Sequence, residues 1–147
     1  MYAVLYVDLD NFKSYNDKYG FMCGDEVIKF TSGIMQDSIQ KYGRQGDFLG
    51  HIGGDDFVAI LNYDNAKKVA RNIIKEFDKG VTGFYTPEDL KNGGIRIPNR
   101  RGKLVKFPIM SITVSMVSNK YRDYKSTLEI GEDGASVKKK AKTIEGS

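Results

Sequence analysis

Residues 2–7 (YAVLYV) form an unbroken apolar run that ends on Asp8-Leu9-Asp10. A strand that alternates apolar with polar residues can leave one face in water, but a continuous run has to be covered on both. The run therefore reads as the central strand of a layered structure, with a carboxylate at its C-terminal end. It is far too short for the roughly 20 residues that a membrane helix needs. Met1 leads into it with no basic stretch or cleavage site, so no signal peptide is visible. Cys23 is the single cysteine and can form no intrachain disulfide, which makes a reducing, cytoplasmic setting the expectation.

Downstream, Asp10 or Asn11 can cap a short helix carrying Phe12 and Tyr15 and stopped by Gly20. A second helix fits residues 25–42, where Val27, Thr31, Ile34, Met35, Ser38 and Tyr42 share one face. His51-Ile52 and residues 57–61 (FVAIL) read as strands joined by Gly53-Gly54-Asp55-Asp56, with glycines supplying the positive φ angles of a tight loop. Asp64 or Asn65 caps a helix with the stripe Ala66, Val69, Ala70, Ile73, Ile74 and Phe77. All three prolines fall between residues 81 and 108, where a peripheral hairpin is expected around 84–107. Residues 109–117 form another core strand, and a closing helix fits 126–142. The order is β-α-α-β-β-α-hairpin-β-α. It describes one α/β (α+β) domain over residues 1–147, a ferredoxin-like mixed sheet flanked by helices, with an extra N-terminal helix.

Charge is unevenly spread. Residues 1–90 hold 10 Lys and Arg against 14 Asp and Glu, whereas residues 91–147 hold 13 against 5. The basic third lacks interleaved stacking aromatics, which argues against nucleic acid as a partner. The acidic residues gather at element ends, Asp8 with Asp10 and Asp55 with Asp56. If the first strand lies beside the hairpin, Asp8 and Asp55 converge. Carboxylates that close call for a cation, and an all-oxygen set suits Mg²⁺ or Mn²⁺. An acidic turn in water plus a helix cap accounts for the same residues, and both readings stand at this level.

The signature Gly53-Gly54-Asp55-Asp56-Phe57 resembles that of GGDEF domains, the diguanylate cyclases that condense two GTP into cyclic di-GMP. The upstream block of that family is also present, as Asp8-Leu9-Asp10-Asn11-Phe12-Lys13, Asn16-Asp17, Tyr19-Gly20 and Gly24-Asp25. The resemblance implies a nucleotidyl-cyclase-like fold. It further implies metal binding by Asp8, the Leu9 carbonyl and Asp55, a catalytic role for Asp55 and Asp56, and substrate contacts from Phe12, Lys13, Asn16, Asp25 and Lys142. Asn16 and Asp25 match the pair that reads guanine, and a carboxylate suits the N1–H and exocyclic amine that guanine offers and adenine does not. Arg44-Gln45-Gly46-Asp47 matches the RxxD motif of an inhibitory product site. An Arg and Asp three apart also make an ordinary surface ion pair.

The expected partners are thus GTP, cyclic di-GMP, and a second copy facing the first, each holding one GTP. The pattern is departed from in five places. Asp56 stands where glutamate is most common, His51 where arginine is frequent, and Val117 where glycine often follows the last core strand. The final helix lacks a frequent arginine, and the Leu-Thr-Gly-Leu lead-in is missing, as in a shortened domain of a larger protein with a sensor or receiver module. These departures keep a second reading alongside the enzyme: a weak or inactive domain that senses GTP or cyclic di-GMP. As the only histidine, His51 is read as a packing residue at a strand end.

Overall fold

The computed structural model describes residues 1–119; the expected helix over 126–142, and Lys142 with it, lies outside the described residues. The chain runs β1 (Tyr2–Asp10), α1 (Phe12–Tyr19), α2 (Phe21–Tyr42), β2 (Phe48–Gly53), β3 (Asp56–Asn62), α3 (Tyr63–Gly80), a 3-10 turn (Val81–Phe84), α4 (Pro87–Lys91), β4 (Gly94–Pro98), β5 (Leu104–Pro108) and β6 (Ser111–Ser118). Four strands form one sheet in the order β2-β3-β1-β6, and β4 and β5 form the separate peripheral hairpin. The α/β arrangement matches the expectation. Its pairings, however, are antiparallel throughout the described residues rather than mixed. The reason is insertion: β1 and β2 point the same way, but β3 folds back between them, so strands with parallel directions never become neighbours.

β1 is central, as its continuous apolar run requires. Ala3, Leu5, Val7 and Leu9 face the helices, where they join Phe57, Ala59 and Leu61 of β3, Ile112 of β6, Val27 and Met35 of α2, and Val69, Ile73 and Phe77 of α3. Each of these side chains larger than alanine is worth about 1.5–3 kcal/mol when withdrawn from water. No helix among the described residues is long and apolar enough to cross a membrane.

Three helix starts differ from the sequence expectation. Asn11 precedes α1 in the left-handed region (φ 65°) and makes no side-chain cap, and Asp10 belongs to β1. α2 begins at Phe21, because Gly20 (φ 92°) turns the chain in a single residue and lets the helix restart at once. α3 is capped by Asn62, whose Oδ1 accepts from the Asp64 N–H, rather than by Asp64 or Asn65. Strand β2 also starts three residues ahead of His51, since Phe48 pairs with Ile60.

A tyrosine cluster fastens the peripheral segment to α1. Tyr15 and Tyr19 stack at 4.7 Å, and Tyr85 meets both edge-on. The Tyr15 hydroxyl donates to the Phe84 carbonyl at 2.8 Å. Tyr19 donates to Asp89 and accepts from the Thr86 N–H. The buried Tyr85 hydroxyl accepts from the Met110 N–H at 2.8 Å, and burial pushes its pKa up to about 12. Tyr85→Phe strands that buried N–H without an acceptor, so urea denaturation is expected to show a loss of about 1–3 kcal/mol. An unchanged midpoint would mean that the bond contributes nothing.

Candidate metal and nucleotide site

Antiparallel register sets the acidic end of the site. Asp8, near the end of β1, is paired with Asp56 of β3 on one side and Thr113 of β6 on the other. Asp55 sits in the turn before β3, drawn to β1 by a 3.3 Å hydrogen bond from the Leu9 N–H to its carbonyl. Gly53 (φ 144°) and Gly54 (φ 55°) make that turn possible. As a result Asp8, Asp55 and Asp56 each place a carboxylate oxygen within 4.8 Å of the others. Asp8 is only 5% exposed. Hard carboxylate oxygens gathered at this distance, one of them shielded from water, fit a hard divalent cation.

Asp56 belongs to the cluster although its side chain is a methylene shorter than glutamate's. Asp10 does not belong to it. β1 outruns β3 beyond the Asp8–Asp56 pair, and Asp10 instead lies opposite Ser111. Its Oδ2 accepts from the Ser111 hydroxyl at 2.9 Å and the Thr113 hydroxyl at 2.6 Å. In the sequence Ser111, Thr113 and Ser115 alternate with Ile112, Val114 and Met116, which marks a polar face on this strand but not its partner. The Leu9 side chain is buried in the core, so only its backbone is available to the site. His51, expected to pack at a strand end, lies within β2 and is exposed; one face of its ring stacks on Phe57 at 4.6 Å, and Nε2–H donates to the Gly54 carbonyl at 2.9 Å.

The second part of the site is the helix pair that follows β1. With no side-chain cap at Asn11, the first-turn N–H groups of α1 carry the positive end of the helix dipole, which suits phosphate. Phe12 starts that turn, and its ring packs against the core. Lys13 beside it is exposed. Asn16 is half-buried on α1, and Asp25 is exposed on α2. The structure thus places both expected base readers on adjacent helices. Lys142 lies outside the described residues.

The motif Arg44–Asp47 lies apart, in the turn between α2 and β2. Asp47 accepts from the Arg44 N–H at 2.7 Å and from the Asn62 N–H at 3.0 Å, which ties the turn to the start of α3. The Arg44 guanidinium is exposed and approaches Asp64, not Asp47, at 3.8 Å. Such an exposed pair is worth at most about 1 kcal/mol and yields readily to a ligand.

Comparison with known proteins gives these features a family. The model of the diguanylate cyclase GGDEF domain matches residues 1–142. Diguanylate cyclase DgcS of Shewanella oneidensis is 46% identical over 59 residues, covering 40% of this chain and 19% of that protein. The probable diguanylate cyclase DgcT of Escherichia coli is 35% identical over 85 residues, 56% of this chain and 18% of that protein. The chain thus matches less than a fifth of the length of either relative. Among solved structures, the active GGEEF domain of a Vibrio cholerae diguanylate cyclase has a TM-score of 0.62 at 23% identity over 97% of this chain and 76% of that one. The GGDEF domain of DgcB from Caulobacter crescentus, in complex with c-di-GMP, has a TM-score of 0.61 at 18% identity over 97% and 72%. These likenesses carry the fold. With the family model matching nearly end to end, the chain belongs to the GGDEF family of diguanylate cyclase domains.

Proposed function

We propose that this domain binds one GTP with Mg²⁺ or Mn²⁺ and, facing a second copy, condenses two GTP into cyclic di-GMP with release of pyrophosphate. The observation that carries this is the convergence of Asp8, Asp55 and Asp56 within 4.8 Å at the end of β1. Asp8, Asp55 and the Leu9 carbonyl hold the cation, which supplies charge neutralisation for the phosphates and acidifies the attacking hydroxyl. The start of α1 and Lys13 hold phosphate oxygens. Asn16 and Asp25 hold the guanine, Asp25 accepting from N1–H and the exocyclic amine.

In each half-reaction a 3′-oxygen bonds to the α-phosphorus of the opposite GTP as the bond to the β-phosphate oxygen breaks. Asp55 and Asp56 are the carboxylates available to accept the hydroxyl proton. Two such steps close the ring and free two pyrophosphates. Each domain offers one nucleotide site, so the chemistry needs two domains face to face. Arg44 and Asp47 form a separate product site, where the planar guanidinium meets a base edge or phosphate of cyclic di-GMP.

A forced dimer incubated with GTP and Mg²⁺ is expected to yield cyclic di-GMP and pyrophosphate on chromatography. Asp8→Asn and Asp55→Asn should each lower turnover by about 100-fold or more while far-ultraviolet dichroism stays unchanged. Tight GTP binding without product would replace the enzyme by a nucleotide sensor. Asp25→Asn is expected to weaken GTP by about 1.5–3 kcal/mol in calorimetry, through loss of the charged acceptor. An equal loss for ATP would remove Asp25 from base reading. Arg44→Ala should weaken cyclic di-GMP by a similar amount, about 1.5–3 kcal/mol, and leave GTP affinity unchanged. Identical cyclic di-GMP titrations of the two proteins would leave Arg44 as the partner of Asp64 and nothing more.

A further inference from the structure

The α1–α2 junction contains a notch that one glycine keeps open. Asn16, Gly20 and Gly24 are spaced four apart, and a hydrogen-bond ladder joins them: the Gly20 N–H donates to the Asn16 carbonyl at 2.8 Å, and the Gly24 N–H to the Gly20 carbonyl at 3.1 Å. This holds the Asn16 side chain against the first turns of α2. Gly24 is buried there. A Cβ on Gly24 would overlap the Asn16 Oδ1 outright and come within 2.8 Å of its Cγ; the three nearest heavy atoms all belong to the Asn16 amide. Oδ1 is itself buried without a hydrogen-bond partner among the described residues.

We infer that Gly24 is a positioning residue for base recognition: by having no side chain, it seats the Asn16 Oδ1 in the notch and fixes the amide with Nδ2 turned away, as a donor toward an acceptor on guanine. This rests on the assignment of Asn16 to the base. The physical case is one of cost. A buried carbonyl oxygen with no donor is unfavourable, and the same amide swung out into water would satisfy it. The arrangement becomes useful once a ligand takes the opposite end of the amide, because a donor already aimed needs no ordering on binding. The conformation of Gly24 itself is ordinary and helical, so alanine suits its backbone and is the better helix former. A glycine here weakens the helix and spares only the Asn16 amide.

The discriminating experiment titrates α,β-methylene GTP, which cannot be condensed, and its adenine counterpart into wild type, Gly24→Ala, Asn16→Ala and the double variant, with Mg²⁺ present. Gly24→Ala should lose about tenfold in guanine-nucleotide affinity, match Asn16→Ala, and add no further loss in the double variant. Its preference for guanine over adenine should shrink by the same factor while its melting temperature equals or exceeds that of wild type. If Asn16→Ala loses affinity and Gly24→Ala does not, the inference fails and the base-reading role of Asn16 stands. If Asn16→Ala binds as wild type does, the base-reading role fails, and Gly24 has nothing to position. A further loss in the double variant, or a Gly24→Ala protein melting well below wild type, also overturns the proposal, since glycine would then serve packing and not the aim of Asn16.

Discussion

Two carboxylates directly opposite each other on adjacent strands repel, and Asp8 and Asp56 are such a pair. Asp8 is shielded from water, which weakens the screening that usually makes like charges tolerable. What holds them is the register of the sheet. Leu5 lies opposite Ala59 and Val7 opposite Phe57, all inside the core, and a shift of one residue would turn that whole row to the other face. Several buried side chains at about 1.5–3 kcal/mol each outweigh one repulsive contact. The register that fills the core thus also brings the acidic residues together, so a ligand that neutralises them stabilises the fold as well.

The parts legible in the sequence are those where one local pattern had one physical outcome. The run 2–7 admits few structures besides a covered strand, and Gly53-Gly54 between two short strand-like segments few besides a tight turn. Convergence of Asp8 with Asp55 followed once those strands were neighbours. Caps were less legible, since several residues at each helix start could serve. Asn62, Asp64 and Asn65 are all good caps, and what selects Asn62 is where β3 ends, with the Asn62 N–H bonded to a carboxylate 15 residues earlier. Long-range partners were not legible at all: nothing local shows that Asp10 meets Ser111 and Thr113, or that Tyr19 reaches Asp89.

The motif Arg44–Asp47 shows how one pattern can support two roles without conflict. As an ion pair the two side chains would neutralise each other, but Asp47 spends both carboxylate oxygens on backbone N–H groups. That fixes the turn into β2 and the start of α3 while leaving the Arg44 fork with only a loose exposed partner. A residue with a structural task therefore presents a cation with little to hold it back.

The two ends of the proposed nucleotide site depend on different supports. The carboxylates are set by strand pairing, which cannot shift without breaking the core. Asn16 and Asp25 ride on two helices joined through the single residue Gly20, and α1 is fastened on its other side to the peripheral segment by Tyr15, Tyr19 and Tyr85. Tyr15 and Tyr85 are buried, and only the Tyr19 contacts with Asp89 and Thr86 lie nearer the surface, so the fastening couples α1 closely to the peripheral segment. A displacement of the peripheral segment would therefore move α1, and with it Asn16, before it disturbed the carboxylates. Changes in the peripheral segment would then be felt at Asn16, with the cluster of Asp8, Asp55 and Asp56 left in place.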